Sequence, residues 1–215
     1  MVMKKELDDG LKYIFELGLE RIRGKFEYQR YLKTKLGNEK ADTIIKYMSD
    51  RTDNQSCSFT DDKFYALKNE SLETALAIES CLNTDYIRKA ANWINGHKEL
   101  FGKTIADIGC DTGILTCFIA KCCPESHIVG IDRGENGINV ARALATKLNI
   151  QNIEFRVETF AEESERFDTV FSSKTIHENL DKDGGYERKL CDAFGFTDHA
   201  HLFDGATERY YGDVK

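Results

Sequence analysis

The residues with the clearest chemical potential lie in one short segment, Ile105-Ala-Asp-Ile-Gly-Cys-Asp-Thr-Gly113. An apolar run closes on an acid, Asp107, and is followed by two glycines, Gly109 and Gly113, and a new apolar run. This order predicts a buried strand, a tight turn and a helix. Such a turn brings bare backbone against a ligand beside a helix N-terminus.

The residue types in the turn argue against two common ligand classes. A dinucleotide fingerprint needs glycine at its first, third and sixth places, which here hold Gly109, Asp111 and Ile114. The Gly-Lys-Ser/Thr sequence of a phosphate-binding loop is also absent. An acid at Asp111 would repel a pyrophosphate but would tolerate a ligand that carries positive charge, such as a sulfonium or an ammonium.

The stretch from Asp107 to Gly113 resembles the first motif of the class I (Rossmann-like) S-adenosylmethionine-dependent methyltransferases, acid-x-Gly-x-Gly-x-Gly. It departs from that motif at Asp111, where the family has glycine. Aspartate enters left-handed backbone space at modest cost, so the departure is tolerable. The resemblance implies S-adenosyl-L-methionine as the cofactor.

The elements that must position this turn follow in the expected order. Ile128–Asp132 predicts a second strand that ends in an acid about 20 residues after the turn, where folds of this type bind ribose hydroxyls. Gly137–Leu148 has helical apolar spacing, and Ile153–Val157 and Phe167–Ser173 predict two further strands. We therefore expect an α/β fold with a parallel sheet and helices on both faces.

The resemblance also implies roles for individual residues. Asp107 would orient the methionine amino group, Asp132 would bind the ribose hydroxyls, and Ser172 would lie where backbone approaches the sulfur. The remaining cofactor-binding candidates are the backbone of the turn and residues near the adenine: Gly109, Cys110, Asp111, Gly113, Arg133, Glu158, Thr159 and Phe160. Structural alternatives stay open, since Asp107 can cap a helix, Asp132 can end a strand and Phe160 can belong to the core.

His177 is the candidate catalytic residue. It follows the fourth strand, beside the transferable methyl group in this fold, and a neutral imidazole suits a general base for a hydroxyl or thiol acceptor. A structural histidine is the alternative. The Asn/Asp-Pro-Pro-Tyr/Phe signature of methyltransferases that act on nucleobase or glutamine amino groups is missing, because Pro124 is the only proline.

Composition is typical of a cytoplasmic enzyme. The 215 residues are 41% hydrophobic and 31% charged, and the N-terminus becomes acidic where a signal peptide would become apolar. The seven cysteines predict neither a disulfide framework nor a metal site. A net charge of −7 argues against nucleic acid as a partner, and we expect no membrane span. A basic cluster is either an RNA-facing surface or a solvated helix edge: Arg21, Arg23, Lys25, Arg30, Lys33 and Lys35.

The chain divides into a helical N-terminal region, residues 1–98, and a cofactor-binding core, residues 99–215. By the resemblance, the helices would cover the cofactor and confer substrate selectivity. Beyond Ser173, residues 186–194 predict a helix, and Ala200–Phe203 and Thr207–Tyr211 predict a closing hairpin around Asp204-Gly205. This leaves no clear fifth strand, so we expect the C-terminal part of the sheet to be abbreviated.

The sequence thus predicts an S-adenosylmethionine-dependent methyltransferase acting on an unidentified acceptor, first of all a small molecule. A catalytically inactive binding or interaction protein and an RNA methyltransferase are the alternatives. The oligomeric state does not follow from these residues.

Overall fold

The computed structural model describes residues 7–53, 62–159, 166–173, 175, 199–203 and 208–212. The chain forms two compact units, Met1–Gly96 and His97–Lys215. The predicted helix of residues 186–194 lies outside the described residues. Among the helices that the structure describes, none is long and apolar enough to cross a membrane.

In its described residues, the first unit contains helices and no strand. Its helices are α1 (Asp9–Leu17), α2 (Lys25–Leu36), α3 (Asn38–Asp53), α4 (Asp62–Lys68), α5 (Leu72–Leu82) and α6 (Thr84–Gly96). Helix α1 packs on α6, and α2 packs on α3 and α5. One core cluster joins α2 to α5 through six buried side chains: Leu32, Ala41, Ile44, Phe64, Ala77 and Ile78. Helix α4 had no sequence prediction.

Asp8 explains why α1 begins where it does and why it packs on α6. Its carboxylate accepts a hydrogen bond from the Leu11 backbone N–H at 2.9 Å, which caps the helix. The same carboxylate accepts from Arg88 Nε at 3.0 Å and from Asn92 Nδ2 at 3.0 Å. Because of the Arg88 hydrogen bonds, the pKa of Asp8 lies well below its usual range.

The second unit is an α/β sheet. Its strands are β1 (Thr104–Ile108), β2 (His127–Asp132), β3 (Ile153–Val157), β4 (Thr169–Ser173), β5 (His199–Phe203) and β6 (Glu208–Gly212), in the order β3-β2-β1-β4-β5-β6. Helices α7 (Ile114–Cys122) and α8 (Glu135–Lys147) connect β1 to β2 and β2 to β3. Strands β1 to β5 are parallel and β6 is antiparallel, so the predicted Rossmann-like fold is confirmed.

The C-terminal strands refine the sequence prediction. The hairpin forms, with His199 opposite Gly212 and Phe203 opposite Glu208. Its first strand also pairs in parallel with β4, so it takes the place of the fifth strand that the sequence did not reveal. In the part of the chain that the structure describes, the sheet then ends with the antiparallel strand β6.

Phe155 of β3 fills the space between the sheet and the two connecting helices. A Cβ built on Gly113 would lie 2.9 Å from its ring, and one on Gly130 would lie 2.5 Å from it. The ring therefore needs bare backbone at two positions of the unit. This packing fixes the turn after β1 against the end of β2, which positions the candidate site.

Candidate functional site

Of the predicted site residues, those at the carboxyl ends of four neighbouring strands are Asp107, Asp132, Glu158 and Ser172. Asp107 pairs with Gly130 near the end of β1, and Ile108 pairs with Ser172 of β4 on the other side. Asp132 is the last residue of β2, and its register partner Val157 ends β3 just before Glu158. Ligands of open parallel sheets bind at this edge, where the strand order reverses.

The turn between β1 and α7 has the backbone conformation that its sequence requires. Gly109 has φ +73° and Gly113 has φ +68°, both in the left-handed region, and Asp111 enters the same region with φ +46°. The Gly109 and Cys110 N–H groups donate to the Ile131 carbonyl at 2.8 and 3.1 Å. The turn is thereby tied to β2 as well as to its own strand.

Asp132 is held by three backbone amides. Its Oδ2 accepts from the Asp111 N–H at 2.9 Å, and its Oδ1 accepts from the Gly134 N–H at 2.8 Å. Its backbone carbonyl accepts from the Glu158 N–H at 3.0 Å. Each carboxylate oxygen keeps further acceptor capacity, because an ionised carboxylate has about four lone-pair positions. The carboxylate is therefore fixed in place yet able to accept two hydroxyl groups.

Asp107 is buried at the end of β1, with 3% of its surface exposed. Thr116, in the first turns of α7, donates its hydroxyl to Asp107 Oδ2 at 2.6 Å. Burial raises the pKa of Asp107 to about 7; the Thr116 hydrogen bond lowers it and the nearby Asp132 charge raises it. Asp107 can therefore change its charge near neutral pH, and a cation beside it would favour the ionised form.

The acids of the site act on one another. Burial is the largest cause that raises the pKa of Asp132, opposed by the Gly134 and Asp111 hydrogen bonds, and the Asp111 charge raises it further. The pKa of the buried Cys110 thiol is well above its usual value, first through burial and then through the charges of Asp107, Asp132 and Asp111. The turn thus concentrates negative charge at the carboxyl edge of the sheet.

The other predicted residues occupy varied positions. Cys110 is buried, and its thiol lies near Gly130 of β2, where an added Cβ would be 3.1 Å from Sγ. Ser172 is buried and donates its hydroxyl to the Ile108 carbonyl at 3.0 Å, which joins β4 to β1. Arg133 and Thr159 are exposed and Glu158 is half-buried. Phe160 and His177 lie outside the described residues.

Two threonines near the turn were missed by the sequence analysis. Thr116 holds Asp107, and Thr175 Oγ1 lies 3.3 Å from the Gly109 carbonyl, to which it donates a hydrogen bond. A hydroxyl in the first turn of the helix after the motif, on the face towards β1, was the available signal for Thr116. Within the described residues, no group of three or more His, Cys, Asp or Glu side chains is arranged to hold a metal ion.

A known family matches most of the second unit. A family model described as "Methyltransferase domain" matches residues 101–194. These residues are therefore similar to a methyltransferase domain. The match begins just before β1 and includes the turn, Asp107 and Asp132, so the resemblance carried by the Asp107–Gly113 motif is confirmed.

Curated relatives of the domain are ubiquinone biosynthesis O-methyltransferases. The protein of Acinetobacter baylyi is 42% identical over 76 residues, covering 34% of this chain and 31% of its own length. That of Neisseria meningitidis is 39% identical over 83 residues, covering 37% and 34%. The chain spans about a third of the length of these relatives.

Solved structures similar to the chain include methyltransferases. A SAM-dependent methyltransferase from Aquifex aeolicus is 20% identical with a TM-score of 0.42, covering 52% of this chain and 61% of that one. The N-terminal domain of EvdMO1 with SAH bound is 20% identical with a TM-score of 0.46, covering 53% and 48%.

Proposed function

We propose that this protein is an S-adenosylmethionine-dependent methyltransferase that transfers the methyl group to a small-molecule acceptor. The observation that carries the proposal is the Asp132 carboxylate, held by the Asp111 and Gly134 amides at the carboxyl edge of a methyltransferase domain. A carboxylate fixed in this way accepts the two hydroxyls of a ribose without having to reorganise.

The described residues have the right chemistry for this cofactor. Asp132 would bind the ribose hydroxyls, and Asp107 would attract the methionine ammonium beside the positive-φ backbone of Gly109 and Gly113. Arg133, Glu158 and Thr159 would lie towards the adenine, together with Phe160. When bound, S-adenosylmethionine supplies a methyl group activated by the positive charge on its sulfur.

The chain's own contribution to the reaction is alignment and exclusion of water, because methyl transfer is an in-line displacement. Ser172 fixes the end of β4 to β1, so backbone at this strand end is held steady beside the turn. His177 is the proposed base that takes a proton from the acceptor. The helices of residues 1–98 would select the acceptor.

A hydroxyl oxygen is the acceptor atom that the relatives support. The proteins of A. baylyi and N. meningitidis are named O-methyltransferases, and the shared residues cover about a third of their length. We propose the cytoplasm as the compartment, since the number and spacing of the seven cysteines are not those of a disulfide framework.

Calorimetric titration with S-adenosylmethionine and with its demethylated product tests the cofactor. We expect both to bind to wild-type protein and to compete with each other. Incubation with methyl-labelled S-adenosylmethionine and a panel of phenolic acceptors then tests transfer. Binding without transfer to any acceptor would favour the inactive binding protein, and transfer to RNA alone would favour an RNA methyltransferase. No binding of either ligand by folded protein would overturn the proposal.

A further inference from the structure

Asp111 occupies a place in the turn where the backbone favours glycine. Its φ is +46°, and in the part of the chain that the structure describes only Asn149 shares a positive φ among residues other than glycine. Glycine would adopt this conformation without cost. A side chain kept in disfavoured backbone at a ligand-binding turn points to a use for that side chain.

The Asp111 backbone already has a structural use that any residue would serve. Its N–H donates to Asp132 Oδ2 at 2.9 Å, and glycine carries the same N–H. The distinguishing property of Asp111 is therefore its carboxylate. This carboxylate is close enough to raise the pKa of Asp132 and of the Cys110 thiol, each of which is raised first by burial.

Negative charge in the turn acts differently on the two ligands of the proposed reaction. S-adenosylmethionine has a sulfonium, an ammonium and a carboxylate, so its net charge is positive. Its demethylated product has a neutral thioether instead of the sulfonium and no net charge. A fixed carboxylate near the site stabilises the first ligand more than the second.

We propose that Asp111 makes the site selective for ligand charge, so that S-adenosylmethionine binds in preference to its demethylated product. This inference rests on the proposed function. Loss of the sulfonium charge at each turnover then weakens binding and speeds replacement of the product by fresh cofactor. For two unit charges in a partly solvated site, we expect a preference of roughly 5- to 30-fold.

The test is the ratio of the two dissociation constants, product over S-adenosylmethionine, measured by calorimetry. Asp111→Asn removes the charge, keeps the shape and tolerates the left-handed backbone. Asp111→Gly removes the charge and the backbone cost together. We expect both variants to lower the ratio about 5- to 30-fold, and we expect the wild-type ratio to fall as salt is added.

Glu125→Gln is the matched control. Glu125 is exposed between α7 and β2, before the start of β2 and thus at the opposite edge of the sheet from the turn, so its loss removes one charge far from the site. We expect this variant to keep the wild-type ratio.

Three results would overturn the inference. An unchanged ratio in folded Asp111→Asn protein excludes a role for the charge. Equal weakening of both ligands shows that Asp111 acts only through the position of Asp132. An equal drop of the ratio in Glu125→Gln shows that overall charge, not Asp111, is responsible. Failure of wild-type protein to bind either ligand would instead overturn the proposed function itself.

Discussion

Thr116 and Asp107 form a buried hydrogen bond of 2.6 Å that joins the first turns of α7 to the end of β1. Through this contact, helix α7 holds the carboxylate of Asp107. Because the hydroxyl donates to the carboxylate, the ionised form of Asp107 is favoured against the cost of burial. The bond therefore orients Asp107 and opposes the rise in its pKa that burial causes.

Thr116→Val should weaken binding of S-adenosylmethionine about tenfold near neutral pH. The substitution keeps the side-chain shape but removes a hydrogen bond to a charged group, a bond of about 1.5 to 3 kcal/mol. The pKa of Asp107 should also rise, so the deficit should shrink at higher pH. Calorimetry at about pH 7 and about pH 9 measures both effects. Thr116→Ser keeps the hydroxyl and should bind like wild type; a deficit equal to that of the valine variant would contradict this role.

Asp107 should lower the free energy of unfolding of the ligand-free protein as the pH rises. Its pKa moves from an ordinary 3.8 to about 7 in the folded state, so folding takes up a proton between these values. The contribution of Asp107 to the free energy of unfolding is therefore greatest below about pH 4, falls through the window and is constant above about pH 7. Asp107→Asn should lose this dependence.

Urea denaturation of both proteins across that pH range measures the effect. The difference between them isolates Asp107 from Asp132, whose raised pKa contributes in the same direction. A difference independent of pH would contradict the prediction.

Gly113→Ala should destabilise the protein by about 2 to 3 kcal/mol more than Gly18→Ala. The two glycines have nearly the same backbone, with φ +68° and ψ 13° at Gly113 and φ +75° and ψ 23° at Gly18. A Cβ on Gly113 would lie 2.7 Å from Ala141 Cβ and 2.9 Å from the Phe155 ring, whereas one on Gly18 meets nothing within 4 Å. Chemical denaturation of both variants separates the backbone cost, about 1 kcal/mol, from the clash. Equal destabilisation by the two substitutions would show that the packing around Phe155 adjusts to accept the added methyl group.

Asp132→Asn should lower affinity for S-adenosylmethionine more than tenfold and destabilise the fold by about 1 to 2 kcal/mol. Two backbone N–H groups donate to opposite oxygens of Asp132, and an amide can accept only one of these bonds. Asp168→Asn is the control, because Asp168 Oδ2 accepts from the Lys103 and Thr104 N–H groups at the other edge of the sheet. Calorimetry should show that the control keeps the wild-type affinity for S-adenosylmethionine. A similar loss of affinity in the control would show that reduced stability, and not the Asp132 carboxylate, weakens binding.

Much of the fold followed from local patterns. The Asp107–Gly113 turn, the acid that ends β2 and the apolar spacing of α8 are short-range signals, and each predicted its element. Helix α2 is bounded by Gly24 and Gly37, and both glycines have positive φ. The short helix α4 was missed because its seven residues give too little periodicity to detect.

Long-range pairing did not follow from the sequence. Ala200–Phe203 has the pattern of a hairpin strand, which predicts pairing with β6. It does not predict pairing with β4, because the pattern of a strand does not reveal a partner far along the chain. Thr116 was missed for a related reason: helical spacing places it on the face towards β1, but a buried threonine is as easily explained by packing. The amides of Asp111 and Gly134 were missed because any sequence has backbone donors.

The late pairing of β5 with β4 orders events as the chain leaves the ribosome. Strands β1 to β4, whose ends form the candidate site, all emerge before His199. Until β5 follows, β4 presents a row of unpaired backbone groups, the kind of edge that recruits other chains. A nascent domain can therefore assemble its ligand-binding edge first, and the hairpin that comes later closes the sheet against aggregation.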